Sequence, residues 1–303
     1  MNVFFKVICF PLVLIKNYWE NHLKKTNPER LFSFRYYRNY GKMLNLETPL
    51  TLYDKIAYMA FRTDTFQWSD LADKLKVRSF VEKRGFGYTL TKLYGSYDDA
   101  NDIDYSKLPS QFVLKTNNAS ATNIIVKDKS SADIPAINRQ LNKWLQMPYG
   151  YDTCQPHYSR IVPKIIAEEF LNDKKTTEKG EMLIDYKFYC FDGEPTIVIV
   201  MSGRSLNTHK VNKTYFDMDW QCHPEYMSKK FDGIAQEHTE KPVSFEKMKE
   251  MAAVLSKGFP FVRVDFYEIN GNPVFGEMTF TPGMDTGTTQ FHLDMGKLCI
   301  INK

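Results

Sequence analysis

Cysteine is scarce in this sequence, and no two cysteines stand in a CxxC spacing. The 303 residues contain five of them, Cys9, Cys154, Cys190, Cys222 and Cys299. An odd and scattered set of this kind excludes a disulfide framework and is typical of a protein from a reducing compartment. The histidines on either side of Cys222 also lack the ligand spacing of a zinc site. We therefore expect a cytoplasmic protein without structural zinc.

A strong charge excess and a membrane-spanning apolar run are also absent. The 40 Lys and Arg against 36 Asp and Glu give a net charge of +4 without a basic cluster, so no nucleic-acid partner is expected. The apolar stretch 3–15 contains Pro11 and is shorter than the roughly 20 residues of a spanning helix. It also lacks the features of a signal peptide. Two interpretations stay open: a helix packed on the domain, or a peripheral contact with the inner face of the plasma membrane.

The residues that are present predict an α+β protein. Its N-terminal part, called here the helical front, is predicted to be helical, and its C-terminal part is predicted to be rich in strands. Helices are predicted at residues 51–62 and 69–84, from Asp133 to Pro148, and from Ser244 to Gly258. Strands are predicted at residues 111–115, 123–127, 164–171, 185–191, 196–201, 261–268 and 273–280. The polar stretch 172–180 is expected to be an exposed loop between two lobes.

The stretch FVRVDFYEINGNPVFGEMTFTPG, residues 261–283, carries the strongest functional pattern. Its alternation places Arg263 and Asp265 on one face of a strand, and Glu277 and Thr279 on one face of the next. A two-residue turn would pair Asp265 with Gly276 and send Glu277 to the other side of the sheet. A three-residue loop, residues 270–272, is therefore predicted, because it would place the two carboxylates opposite each other.

Two adjacent carboxylates repel each other unless a cation compensates them, and magnesium prefers oxygen ligands of this kind. The hairpin is therefore a candidate magnesium site, with Arg263 aimed at the same pocket as a fixed charge for an oxyanion. The alternative is an ordinary surface hairpin with a salt bridge.

Two further segments are candidates for nucleotide contacts. The stretch FVLKTNNASATN, residues 112–123, ends a strand at Lys115 and continues into a polar loop whose Ser120, Thr122 and backbone N–H groups could bind phosphate. The stretch PKIIAEEFL, residues 163–171, presents Glu168 and Glu169 at the end of an apolar strand, where a purine and a ribose would suit them. The alternative for the first segment is that Lys115 is simply solvated. The alternative for the second is that its glutamates form an ion pair with Lys164 or Lys187.

Two polar segments remain. In DYKFYCFDGEP, residues 185–195, Asp185 and Lys187 alternate with aromatic residues. In SGRSLNTHKVNK, residues 202–213, Arg204, His209 and Lys210 form a basic loop. Such a loop could receive an anionic substrate, for example a uronate, or could simply be solvated.

These motifs, in this order, resemble the TupA-like ATP-grasp proteins of teichuronopeptide and capsule loci. The similarity runs from about Thr51 to Gly283 and includes the upstream segments TPLTLYDKIAYM and LADKLKVRSFV. It implies an ATP-grasp fold in which residues 111–171 form a small lobe with flap and hinge, and residues 172–303 form a large lobe with the metal site. Residues 51–110 would precede the fold proper, and residues 1–50 would be a helical segment.

The resemblance also implies roles for individual residues. Lys115 would bind the phosphates of ATP under a flap of residues 117–123, which includes Asn123. Lys187 would be a further phosphate or substrate lysine, and Arg263 would steady the transferred phosphoryl group. Asp265, Glu277 and Thr279 would hold Mg²⁺. The adenine and ribose pocket would be lined by Glu168, Glu169, Phe170 and Leu171.

The sequence departs from the family pattern at two places. The flap usually reads HGSGGN and here reads NASATN, so the glycines that allow a positive φ are missing. Thr279 stands where ATP-grasp enzymes in general have an asparagine.

The implied function is an ATP- and magnesium-dependent ligase that joins the carboxylate of a surface polysaccharide or its precursor to an amine, through an acyl phosphate. Two alternatives stay open. One is a glycosyltransferase of polysaccharide biosynthesis, although no compact DxD motif is present. The other is a non-catalytic protein that kept the fold and lost a working flap.

Overall fold

The structure, a computed structural model, describes residues 17–173, 181–204, 211–230, 232–233, 239–284 and 286–301. Within these ranges no helix combines the length and the apolar composition that crossing a membrane requires.

Helices form the front of the chain. Residues 17–26 (α1) are followed by α2 (Pro28–Tyr40), α3 (Leu52–Arg62), α4 (Phe66–Ala72) and α5 (Val77–Lys83). Asn27 caps α2, which ends at Gly41 in the left-handed conformation that glycine tolerates best. Thr51 and Asp54 form a reciprocal capping box at the start of α3.

The single helix predicted over residues 69–84 is wrong, because the structure has two helices there. The carboxylate of Asp73 accepts hydrogen bonds from the backbone N–H groups of Leu75 and Lys76, which offers the chain a turn in place of a continuous helix. In that turn the N–H of Lys74 bonds the carbonyl of Asn117, 3.1 Å away. The break therefore connects the helical front to the loop after residue 116.

The first sheet has four antiparallel strands: β1 (Leu93–Tyr97), β2 (Phe112–Thr116), β3 (Asn123–Val126) and β4 (Ile165–Glu169), in the order β1-β4-β2-β3. Helix α6 (Ile134–Leu145) begins at the predicted cap, since Asp133 accepts from the N–H of Ala136. Leu141 of this helix is buried with Phe112, Leu114 and Ile165 of the sheet. The opposite face of the sheet carries Lys115 and Glu168. A short helix, α7 (Tyr149–Thr153), follows α6.

The second sheet has five antiparallel strands in the order β7-β6-β5-β8-β9. They are β5 (Asp185–Phe191), β6 (Glu194–Ser202), β7 (Asn212–Asp217), β8 (Val262–Ile269) and β9 (Asn272–Thr279). Helix α8 (Phe245–Ser256) covers one face and shares the main apolar core with Phe188, Val198 and Val264. The other face presents Lys187 and Asp265. Helix α9 (Thr289–Leu298) packs on α3.

Two strands were not predicted, β1 and β7. Strand β7 begins inside the segment 202–213 that was interpreted as a basic loop, and its Lys213 and Thr214 are buried. The solvated-loop alternative is therefore wrong for the end of that segment. Its middle, with His209 and Lys210, lies outside the described residues.

Candidate active site

A cleft of about 1330 Å³ separates the uncovered faces of the two sheets. Lys115 and Glu168 of the first sheet line one side, and Lys187, Asp265 and Glu277 of the second sheet line the other. Phe32 and Arg35 of α2 also line the cleft. The site is therefore built from both sheets and from the helical front, with its charged side chains in one enclosed space.

The β8–β9 hairpin brings the two predicted metal carboxylates together, since Asp265 pairs with Glu277 and Arg263 with Thr279. The predicted three-residue loop is wrong, because Ile269 pairs with Asn272 and leaves a two-residue turn. Its residues Asn270 and Gly271 have φ values of 53° and 75°. Two positive φ values of this kind match the type I′ turn that suits the twist of a hairpin.

A β-bulge restores the register that the short turn would have lost. The pairing shifts between Asp265 and Phe266, whose partners are Glu277 and Phe275, so Gly276 is the extra residue. A Cβ atom at Gly276 would lie 3.0 Å from the backbone oxygen of Asp265. Glycine therefore lets the two backbones approach at the point where both carboxylates are set on the cleft face.

Asp265 is almost fully buried and paired on both oxygens. Arg263 donates from Nε to Oδ1 at 2.7 Å and from Nη2 to Oδ2 at 2.6 Å, and Lys187 Nζ lies 2.6 Å from Oδ2. Burial opposes the ionised form, but the charges of Arg263 and Lys187 outweigh it and hold the pKa of Asp265 below its usual value. Asp265 is therefore an anion at neutral pH.

Glu277 and Thr279 complete the oxygen cluster. Arg263 Nη2 reaches Glu277 Oε1 at 3.2 Å and Thr279 Oγ1 at 3.0 Å, and the Thr279 hydroxyl donates to Glu277 Oε1 at 3.1 Å. Two carboxylates and a hydroxyl are ligands that Mg²⁺ accepts. Among the described residues no group of three or more His, Cys, Asp or Glu suits a metal ion. An ion bound here would therefore need its other ligands from water or from a phosphate.

Further charged side chains lie next to Lys187 on the second sheet. Lys187 Nζ lies 3.5 Å from Asp185 Oδ1, and Arg204 Nη2 lies 3.4 Å from Asp185 Oδ2. The side chain of Arg204 is 37% exposed and borders the cleft. Of the three residues predicted to bind an anionic substrate, Arg204 is thus placed at the cleft, while His209 and Lys210 lie outside the described residues.

On the first sheet, Glu168 pairs with cations other than the ones predicted. Lys115 Nζ lies 2.5 Å from Glu168 Oε2, and Arg78 Nη1 lies 3.5 Å from Oε1. The alternative partners were Lys164 and Lys187, which instead pair with Asp98 and Asp265. The next three residues, 169–171, line the cleft. Residues 168–171 therefore border the same space as Lys115.

The loop between β2 and β3 closes on itself. The hydroxyls of Thr116 and Thr122 lie 2.7 Å apart, and the N–H of Thr116 bonds the Thr122 carbonyl. The Thr122 hydroxyl is thus buried against Thr116, whereas Ser120 and Asn123 are exposed at the cleft. A contact of Thr122 with phosphate stays a prediction. Ala121 has a φ of 58°, so this loop adopts the left-handed conformation without a glycine.

Sequence reasoning missed Lys74, which lines the cleft between α4 and α5. Its Nζ donates to the carbonyl of Ala119 at 2.6 Å. Desolvation lowers the pKa of Lys74, with the nearby Glu277 acting in the opposite direction. The sequence carried no signal for it, because a single lysine inside the helix predicted over residues 69–84 looks like any solvated helix residue.

The loop after β9 is held by the helical front. Tyr53 of α3 donates to the carbonyl of Gly283, and Tyr40 of α2 donates to the carbonyl of Met284. Gln155 Nε2 bonds the carbonyl of Thr281 at 2.9 Å. These three loop residues also line the cleft. The N-terminal helices therefore position the end of the cleft that lies beyond the carboxylate pair.

The fold and the site together agree with one protein family. The sequence model of the family described as TupA-like ATPgrasp matches residues 54–296. The chain therefore belongs to the TupA-like ATP-grasp family and has the ATP-grasp ligase fold, as the resemblance of its motifs predicted. A search of curated proteins found no match.

Solved structures with a similar fold include three ligases. D-alanine–D-alanine ligase from Bacillus anthracis, complexed with ATP, is 13% identical with a TM-score of 0.44 over 76% of this chain and 63% of that one. An L-amino acid ligase from Bacillus licheniformis is 14% identical with a TM-score of 0.46 over 77% and 49%. The ATP-grasp ligase PsnB with minimal precursor, Mg and ADP is 11% identical with a TM-score of 0.41 over 82% and 64%. The chain thus spans between about half and two thirds of their lengths.

Proposed function

We propose that this protein is an ATP- and magnesium-dependent ligase that joins a carboxylate to an amine through an acyl phosphate. Membership of an ATP-grasp family supports the use of ATP. The observation that carries the proposal is the cleft in which the Asp265–Glu277 pair of one sheet faces Lys115 of the other. Carboxylates that can hold a metal, opposite cations that can bind phosphate, are what phosphoryl transfer requires.

Each end of the cleft has a proposed occupant. The base and ribose would lie against residues 168–171, and the triphosphate would lie between Lys115, Lys74 and the backbone of the loop around Ser120. Mg²⁺ would be held by Asp265, Glu277 and Thr279, and when bound it would neutralise charge on the phosphates. The Ser120 hydroxyl, the backbone N–H groups of the loop and Thr122 would donate hydrogen bonds to the phosphates.

The residues of the second sheet would promote the transfer by neutralising charge. A substrate carboxylate oxygen attacks the γ-phosphorus, the bond to the β-phosphate oxygen breaks, and ADP leaves. The amine then attacks the acyl carbon, phosphate leaves, and the amine loses a proton. Arg263 and Lys187 would bind the phosphoryl and acyl oxygens during both steps, because a guanidinium and an ammonium stabilise developing negative charge in a partly buried site.

For the substrate we propose a bacterial surface polysaccharide, capsular or cell-wall, or its precursor, modified at the cytoplasmic side of the membrane. The resemblance to proteins of teichuronopeptide and capsule loci motivates this choice. Arg204 at the rim of the cleft supports an anionic substrate. His209 and Lys210 are proposed to extend the same basic rim.

The test is a hydroxamate assay. The protein is incubated with ATP, MgCl₂, hydroxylamine as the amine, and a panel of uronates, and both ADP and hydroxamate are measured. Glu277→Gln serves as the inactive variant. Glu250→Gln is the matched control, because Glu250 is an exposed acid on α8 whose carboxylate lies 2.8 Å from Lys247 Nζ.

Each outcome has a distinct meaning. Uronate-dependent hydroxamate and ADP that Glu277→Gln loses and Glu250→Gln retains support the ligase. Sugar transfer in a parallel incubation with a nucleotide sugar in place of ATP would instead favour the glycosyltransferase. Absence of AMP-PNP binding in titration calorimetry would favour a non-catalytic protein.

A further inference from the structure

Cationic side chains of the protein contact both members of the Asp265–Glu277 carboxylate pair. Arg263 binds Asp265 through two nitrogens at 2.7 and 2.6 Å and reaches Glu277 at 3.2 Å. Lys187 adds a third contact to Asp265 at 2.6 Å. Both oxygens of Asp265 thus have a cationic donor. Together with the neighbouring Asp185 and Arg204, three positive charges balance three negative ones.

A divalent ion would have to displace these contacts. Mg²⁺ demands near-octahedral oxygen coordination at about 2.0–2.1 Å, which the guanidinium on Asp265 obstructs. Adding two positive charges to a balanced cluster also leaves Arg263 beside the ion without counter-charge, and leaves Lys187 only the longer contact to Asp185, at 3.5 Å. The side chains of Arg263, Lys187 and Asp265 are only 12%, 14% and 4% exposed, so water screens this repulsion poorly.

A polyphosphate removes both obstacles together. Its oxygens supply the missing ligands and the negative charge, and they also offer Arg263 and Lys187 new partners. We infer that Arg263 is an internal counter-ion that closes the Asp265–Glu277 site to free divalent ions, so that metal enters only together with the nucleotide. The inference rests on the proposed function. It adds an order of binding, in which the displaced arginine becomes available to the phosphates when the metal ligands become free.

The test uses Mn²⁺ as a probe, with free Mn²⁺ measured by electron paramagnetic resonance and AMP-PNP as the nucleotide. Wild-type protein should bind Mn²⁺ alone at least about tenfold more weakly than it binds Mn²⁺ with AMP-PNP. Arg263→Met should gain affinity for Mn²⁺ alone by about tenfold or more, because the thioether leaves the carboxylates exposed to the ion. Adding Asp265→Asn to Arg263→Met should abolish the gain.

The matched control is Arg62→Met. Arg62 also bridges two carboxylates, those of Glu29 and Glu47 at 3.1 and 2.8 Å, but on the surface away from the cleft. The Arg62→Met variant should bind Mn²⁺ with the same affinity as the wild type. Arg263→Lys keeps a charge but loses the bidentate geometry, so an intermediate gain is expected and a folded variant is available if Arg263→Met is unstable.

Two results would overturn the inference: wild type that binds Mn²⁺ equally well with and without AMP-PNP although AMP-PNP binds, or Arg263 variants that gain nothing. Failure of the proposed function gives a different pattern, in which AMP-PNP binds to no variant while Arg263→Met still gains affinity for Mn²⁺ alone.

Discussion

Asp265 and Glu277 share a proposed ligand but differ in their surroundings. Asp265 is buried between Arg263 and Lys187, whereas the side chain of Glu277 is 35% exposed. We expect Asp265→Asn and Glu277→Gln each to reduce ADP release by about 100-fold or more, because each removes a charge from the metal pair.

The two variants should differ in stability. Asp265→Asn removes the anion that both Arg263 and Lys187 contact most closely and should cost about 3–5 kcal/mol in free energy of unfolding, whereas Glu277→Gln should cost at most about 1 kcal/mol. Urea denaturation and an ADP-release assay check both quantities. Wild-type activity in either variant would refute the metal assignment.

Ala121 lies in the left-handed region with a φ of 58°. In this region a Cβ atom destabilises the folded state by about 1–2 kcal/mol, and glycine avoids that cost. Part of the gain is lost, because glycine also raises the conformational entropy of the unfolded chain. Ala121→Gly should therefore leave the free energy of unfolding equal or raise it by up to about 1 kcal/mol. Ala119 is the matched control, since its φ is not positive, and Ala119→Gly should destabilise the protein. Equal destabilisation by both changes would contradict the assigned backbone.

At the scale of the elements, the β8–β9 hairpin depends on the bulge at Gly276. A methyl group there would meet the Asp265 carbonyl at 3.0 Å, so one of the two backbones must move. Gly276→Ala should lower the free energy of unfolding by about 1–3 kcal/mol, which leaves the protein folded. It should nevertheless reduce ADP release strongly, because the shift occurs between the two carboxylates.

The control for this change is Gly271→Asn in the turn of the same hairpin. Asparagine tolerates the positive φ of that position, so the register should be kept and the activity should stay close to wild type. An active Gly276→Ala variant would show that the bulge does not set the geometry of the site.

This hairpin also shows how far the sequence could predict the structure. Alternation of polar and apolar residues correctly placed Asp265 opposite Glu277, because burial of one face fixes which side chains point together. The predicted length of the loop between β8 and β9 was wrong. A bulge and a longer loop correct the register equally well, and the alternation of polar and apolar residues does not distinguish between them. The bulge was still signalled by Gly276 inside a strand.

The predictions of other elements were wrong because the sequence pattern does not contain the interactions that decide them. The break between α4 and α5 depends on the Asp73 carboxylate, which helical periodicity does not register. Strand β7 was missed because it starts with Asn212 and Lys213, residues of a typical loop whose burial depends on the rest of the sheet. The ion pairs of Glu168 and Lys187 likewise depend on which strands are neighbours, and no single segment contains that information.

At the scale of the whole molecule, two buried histidines make the folded state sensitive to acid. Burial lowers the pKa of His157 to about 3 and that of His292 to about 4, from an ordinary value of 6.5. Below pH 6.5 the unfolded chain binds protons that the folded chain does not, so stability falls as the pH decreases. The two groups together should give a slope of about 2–3 kcal/mol per pH unit near pH 5.

His157→Phe tests this expectation. Neither ring nitrogen has a hydrogen-bond partner among the described residues, and the ring packs against Trp68, Tyr158 and Phe280. The variant should equal or exceed the wild type in stability at pH 7 and remove about half of the slope near pH 5. Urea denaturation at several pH values measures both. His223→Gln is the control, because desolvation lowers the pKa of His223 but its two carboxylate partners, Glu225 and Asp217, together raise it above the ordinary value. An unchanged slope in His157→Phe would contradict the assignment of the acid sensitivity to His157.

The proposed function requires a nucleotide and a metal to bind together between the two sheets. Titration calorimetry of the wild type with AMP-PNP, in the presence and absence of MgCl₂, tests it most directly. We expect binding that weakens by about tenfold or more without magnesium, and that loses this dependence in Glu277→Gln. Absence of binding at millimolar AMP-PNP, or equal affinity with and without magnesium, would contradict it.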